Sequence, residues 1–346
     1  MDNTEGLVLR DNERRARRSY MFVAFAVTAF GLLTPFARKL LNIVMQHFFD
    51  IGSPTAYDWP SLARLFGPMY LIALPLSIPL FLCAKRTPLG KRKLRFSEYI
   101  QFIPIAFFAM LAGNTAGLVT NQVISSLFRT QSGTVTTDMI LNGDPLAVFF
   151  FSAILAPIVE EFVFRKLIID RVHVYGGGVA VLVSAMMFGL FHGNFSQMFG
   201  AFAVGLVFGY VYLKTGKVHY TMILHALINA NANIASLLTR KILPLTDPEF
   251  IEGIQPDPGE ILSVLGSFAL YFVYFLFVLA LVGGGVALFI VKLVKKKVKF
   301  GPEERQLPAR RCIKAALVNA GMIAFFAFCL WEIVSSFFPQ IGIINR

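Results

Sequence analysis

Glu160 and Glu161 stand side by side in APIVEEFVFRK, the end of a run, DPLAVFFFSAILAPIVEEFVFRK, that is otherwise as apolar as lipid. A helix turns about 100° per residue, so adjacent carboxylates cannot share one target. Glu161 precedes Arg165 by four residues, the favourable order for an ion pair along one helix face. That leaves Glu160 for another task, and Pro157, which lacks an N–H, predicts a kink just before it. Two histidines also fall in apolar stretches: His192 in SAMMFGLFHGNF and His225 in YTMILHALINANANIAS. His47, His173 and His219 lie in or beside expected loops. Asn229 follows His225 by four and shares its helix face. Phe188 stands in the same relation to His192, placing a ring one turn from that imidazole. Asn231 and Asn233, spaced by two, are expected to point away from Asn229 and to serve hydrogen bonds between helices.

A carboxylate, two imidazoles and a carboxamide converging in a watery membrane cavity support two hydrolytic schemes. In one, buried Glu160 is a general base that activates water with His192, while His225 and Asn229 donate to the tetrahedral oxyanion. In the other, Glu160, His192 and His225 ligate a divalent metal such as zinc, which acidifies bound water. The sequence lacks the HExxH helix that would supply an adjacent base. Both schemes cleave an amide.

The elements that must position these groups follow from composition. The chain has 346 residues, 56% of them hydrophobic and 15% charged, with a mean hydropathy of +0.66. It is too apolar for a soluble protein. Stretches able to cross a bilayer of about 30 Å occur near 20–37, 62–84, 98–128, 145–170, 177–193, 196–213, 218–239, 261–291 and 315–338. The expectation is an all-α, polytopic bundle of eight or nine spans around a central polar cavity. It is read as one membrane domain, 1–346, with catalytic helices over 145–240. The stretch 98–128 is too long for one straight span, and 261–291 is interrupted by Gly283–Gly285, so either can bend or end early.

Lysine and arginine cluster before the first span, after the second, and over Lys214–Lys217 and 292–311, whereas the alternate loops 48–61, 129–144 and 240–260 are acidic, polar or proline-rich. The alternation predicts a cytoplasmic N-terminus and nine crossings. Topology and anionic headgroups thereby account for the net charge of +12, and with no base-stacking module present, membrane lipid and not nucleic acid is the expected partner. The first apolar stretch follows a charged segment holding Asp11 and Glu13 and reads as an anchor, not a cleaved signal. Cys83, Cys312 and Cys329 lack metal or redox spacing and read as buried packing. Gly205 and Gly209 form a small-xxx-small pair for close helix approach. Glu332 is expected to snorkel to the outer interface.

If Gly176–Gly178 is a turn, Glu160 and His192 lie at equal depth on arms of about 24 Å. His225, counted from Gly216, is about 10 Å out of step, to be absorbed by tilt or by a helix that projects from the membrane.

EEFVFR (Glu160, Glu161, Arg165), FGLFH (Phe188, His192) and HALIN (His225, Asn229), in that order on successive helices, resemble the CAAX-protease and bacteriocin-processing (CPBP, or Abi) family of intramembrane endopeptidases, type II CAAX prenyl endopeptidase-like. The likeness covers roughly residues 145–240. It implies Glu160 as catalytic base, His192 positioning water, His225 and Asn229 as the oxyanion site, and Glu161 with Arg165 as a supporting pair. It further implies a peptide or protein substrate, with or without a lipid group, and a place in a prokaryotic plasma membrane. Members are described as glutamate-dependent or as metalloproteases, so the cofactor stays open between none and a divalent metal. The eukaryotic branch trims prenylated CAAX proteins; prokaryotic relatives serve peptide maturation, bacteriocin self-immunity and regulated proteolysis. A membrane transporter is the rival class, weakened by the lack of an inverted repeat. A membrane scaffold is the third.

Overall fold

The computed structural model describes residues 3–49, 57–130, 135–242, 258–296, 298 and 307–338. Every regular element among them is helical. The main helices are α1 (Asn3–Phe49), α2 (Trp59–Leu82), α3 (Phe102–Phe128), α4 (Pro145–Tyr175), α5 (Gly177–Phe191), α6 (Phe195–Thr215), α7 (Val218–Ile242), α8 (Pro258–Val294) and α9 (Ala320–Phe337). All but α5 are long and apolar enough to cross a membrane, eight in total. The protein is an integral membrane protein. With 15 residues, α5 rises only about 22 Å, short of the hydrocarbon core. Among the described residues, eight of the nine expected stretches thus contain a helix of full spanning length, within the expected eight or nine, and the fifth holds a shorter apolar helix.

Sequence sets most of the boundaries. Asp58, Asp144, Asn194 and Asn319 each accept a backbone N–H three residues on, at 2.8 to 3.0 Å, starting α2, α4, α6 and α9 as N-caps. Gly216, at φ +61°, ends α6 in the left-handed conformation that favours glycine. Asn319 also separates α9 from a preceding helix, Ala309–Leu317, so the stretch expected as one span at 315–338 is two elements. The stretch 98–128 is divided as well: a turn, Phe96–Tyr99, precedes an unbroken α3. By contrast, α8 runs straight through Gly283–Gly285. Gly285 faces Pro104 and Phe108 of α3, where a side chain would collide, so this glycine permits close packing of α8 on α3. At 47 residues, α1 is about 70 Å long and extends well beyond the bilayer.

The helices around the acid and the histidines approach closely. Gly205 and Gly209 of α6 lie against Ala185 and Val181 of α5, and Gly113 and Gly117 of α3 lie against the α6 backbone at Phe199 and Phe195. The small-xxx-small expectation holds, for helices whose interface is van der Waals packing. Cys312 and Cys329 are buried as expected, but Cys83 is exposed, because it ends α2 at a surface turn. The loops expected at 48–61, 129–144 and 240–260 and the lysine-rich 292–314 lie wholly or partly outside the described residues; within the second, Val135–Asn142 is helical.

Candidate active site

Helix α4 is not a uniform α-helix. It contains two π turns, Phe150–Leu155 and Phe162–Leu167, on either side of Ala156–Glu161. In the first, Ala156 N–H bonds to Phe151 O, five residues back. The next bond in that ladder would run from residue 157 to Ser152 O, but Pro157 has no N–H. The orphaned carbonyl is taken by Asn229 of α7, whose Nδ2 donates to Ser152 O at 2.8 Å. The expected kink is therefore a π turn that hands one carbonyl to a neighbouring helix, which satisfies a buried acceptor and fixes the Asn229 side chain.

The same device recurs in the second turn, where Ser184 of α5 donates to Phe164 O at 2.5 Å. Around the first turn, Asn233 Nδ2 donates to Ser152 Oγ at 3.0 Å and to Asn229 O at 2.8 Å. This overturns the expectation that Asn233 faces away from Asn229: four residues turn a helix about 400°, so the two share a face. Thr221, His225, Asn229 and Asn233 form one polar stripe down α7, legible from their spacing. Asn231 does leave that face, and Tyr274 of α8 donates to its Oδ1 at 3.1 Å.

His225 joins the two acids. Its Nδ1 lies 3.1 Å from Glu161 Oε1 and its Nε2 lies 3.8 Å from Glu160 Oε2. The apparent 10 Å mismatch in depth does not keep His225 from the acids, and the arm from Glu160 to Gly176 includes a π turn and a final 3₁₀ turn, His173–Tyr175. Adjacent on a helix, the two carboxylates diverge, and one imidazole spans them with its opposite nitrogens.

Glu161 also meets Arg165 Nε at 3.0 Å, with both side chains fully buried. The contact is charge against charge, since none of the guanidinium nitrogens finds an aligned acceptor among the described residues. The cation is covered instead by the rings of Phe188, at 4.7 Å, and Phe208, at 5.6 Å, in cation–π contact. Glu161 thus does more than the expected architecture, because it holds the Nδ1 side of His225 as well. Glu160, by contrast, keeps 20% of its side chain exposed.

His192 caps the end of α5. Its Nδ1 lies 2.8 Å from Phe188 O, an oxygen that can only accept, so the neutral ring carries its proton on Nδ1 and its lone pair on Nε2. Asn194 fixes the same residue from the other side, donating to His192 O at 2.8 Å. Phe188 stands edge-on to both imidazoles, 5.0 Å from His192 and 5.6 Å from His225. The ring foreseen beside one histidine therefore packs against two. Glu332 of α9, expected to snorkel away, lies over the turn that follows His192: a Cβ on Gly193 would be 3.0 Å from Glu332 Cβ. Among the described residues, no three His, Cys, Asp or Glu side chains are grouped to hold a metal ion. Glu160, His192 and His225 do not fit a three-ligand zinc site in this arrangement.

Sequence comparison identifies the same segment. Residues 142–231 match the family of Type II CAAX prenyl endopeptidase, Rce1-like proteins. The membrane-embedded CAAX protease MroQ of Staphylococcus aureus is 27% identical over 135 residues, which are 36% of this chain and 55% of the relative. YdiL of Bacillus subtilis, assigned as a membrane peptidase, is 25% identical over 135 residues, 38% of this chain and 53% of the relative. The chain spans about half the length of the curated relatives it matches. No solved structure matches significantly. The segment that carries Glu160, Glu161, Arg165, Phe188, His192, His225 and Asn229 is thus similar to the Rce1-like type II CAAX prenyl endopeptidases.

Proposed function

We propose that this protein is an intramembrane endopeptidase that hydrolyses a peptide bond in a membrane-associated substrate, with Glu160 as the base. The observation that carries the reading is the Glu161–His225–Glu160 arrangement, in which one imidazole faces two carboxylates through opposite nitrogens. Glu160 takes a proton from water while His192 Nε2 orients it. The hydroxide oxygen bonds to the carbonyl carbon, and the carbonyl π pair moves to oxygen. His225, held through Nδ1 by Glu161, donates from Nε2 to that oxyanion. Asn229 spends one amide hydrogen on Ser152 O and gives the other to the same oxyanion, as preorganised donors do. Collapse breaks the C–N bond, and Glu160 returns its proton to the leaving amine.

The substrate is a peptide carrying a CAAX-like terminus, prenylated in the form that a membrane cavity would hold best. The residues work as one membrane domain with a cytoplasmic N-terminus. Purified protein in nanodiscs, given a prenylated CAAX peptide and an unprenylated peptide library, tests this against Glu160→Ala. Cleavage that survives the substitution would overturn the reading.

A further inference from the structure

Outside the matched segment, α2 carries a third π turn, Met69–Ala73. Such turns within α-helices recur at functional sites. Its Tyr70 is buried, with 8% exposure, and among the described residues the hydroxyl oxygen has no hydrogen-bond partner. Leaving a buried phenol unpaired is costly unless it has a use. The ring is firmly placed: it stacks on Phe66 at 5.8 Å, and Phe66 stacks on Phe151 of the first α4 π turn at 5.5 Å. This aromatic run ties α2 to the helix that bears the base. The Glu160 carboxylate and the Arg38 guanidinium lie within electrostatic reach of the hydroxyl, and Arg38 Nε donates to Leu65 O of α2 at 2.9 Å.

We propose that the Tyr70 hydroxyl is a catalytic hydrogen-bond donor, acting from α2 on the water that Glu160 deprotonates. The assignment rests on the protease reading above. The phenolic O–H donates to one lone pair of that water while Glu160 accepts its proton, which leaves the second lone pair for the carbonyl carbon. No bond to Tyr70 forms or breaks. His225 and Asn229 approach from α7, so Tyr70 contributes a donor from a separate helix.

The test is Tyr70→Phe, which removes only the oxygen and keeps the stack on Phe66. In the prenyl-peptide assay kcat is expected to fall on the order of tenfold, the worth of one hydrogen bond, with KM within about twofold. Thermal stability is expected to stay or rise, because an unpaired buried hydroxyl has been removed. Tyr70→Leu, which also removes the stack, lowers stability as well. Unchanged kcat in Tyr70→Phe, or a fall in kcat matched by lower thermal stability, would overturn the assignment, the second because it marks a structural role. Glu160→Gln in the same assay separates the two levels. If it is inactive while Tyr70→Phe matches wild type, only the Tyr70 proposal falls; if it stays active, the base assignment falls and the Tyr70 proposal with it.

Discussion

Glutamine substitution at Glu160 and at Glu161 should give opposite failures, although the residues are neighbours and the change is isosteric. Glu161 is fully buried, 3.0 Å from a fully buried Arg165 and 3.1 Å from His225. Removing its charge strands a guanidinium that has no aligned acceptor among the described residues and only two ring faces for cover. Breaking a buried pair from one side costs about 3–5 kcal/mol, a large share of the roughly 5–15 kcal/mol that holds a domain together. Glu161→Gln should therefore lower the unfolding midpoint sharply. Glu160 is partly exposed, and its nearest ionic partner is 3.8 Å away, so Glu160→Gln should shift stability by less than about 1 kcal/mol. It should instead lower kcat/KM by about 10²–10⁴, the usual worth of a general base. Denaturant unfolding in detergent micelles, read beside the prenyl-peptide assay, measures both. The double variant Glu161→Gln/Arg165→Met should recover most of the stability lost by Glu161→Gln, because no uncompensated charge then remains. If Glu161→Gln is as stable as wild type, or Glu160→Gln is the more destabilised of the two, the division of roles between these acids is wrong.

Pro157→Ala restores an N–H that can reclaim Ser152 O and release Asn229; stability should change by less than about 1 kcal/mol while kcat falls on the order of tenfold, checked by thermal melting and steady-state kinetics. Asp170 is buried and accepts from Tyr212 at 2.6 Å, Arg86 at 3.0 Å and Lys166 at 3.1 Å, so Asp170→Asn should cost about 2–3 kcal/mol in unfolding experiments, with kcat per folded molecule unchanged. Exhaustive chelation should leave cleavage intact; loss of activity that zinc restores would refute the metal-free scheme.

The amino-acid sequence by itself determined the membrane class, the order of the helices and the chemically exceptional residues, because each rests on local quantities: hydropathy over about 20 residues, cap residues at helix starts, and a spacing of four along a face. The pairing of Glu161 with Arg165 was legible for the same reason. Tertiary structure alone decided what an orphaned carbonyl or a second carboxylate oxygen would meet. Pro157 announces that a hydrogen bond is missing, but only the approach of α7 shows that Asn229 fills the gap. His225 and Glu161 are 64 positions apart, so no local pattern predicts that one imidazole bridges both acids. A depth count at 1.5 Å per residue set His225 out of step with Glu160, yet the two meet at 3.8 Å, because the count treats each helix alone and says nothing of how neighbours tilt and pack. Gly283–Gly285 reads in sequence as a break, yet the neighbouring α3 makes Gly285 a point of contact. In each case the deciding partner comes from another helix, and helix-to-helix packing depends on the surfaces of both.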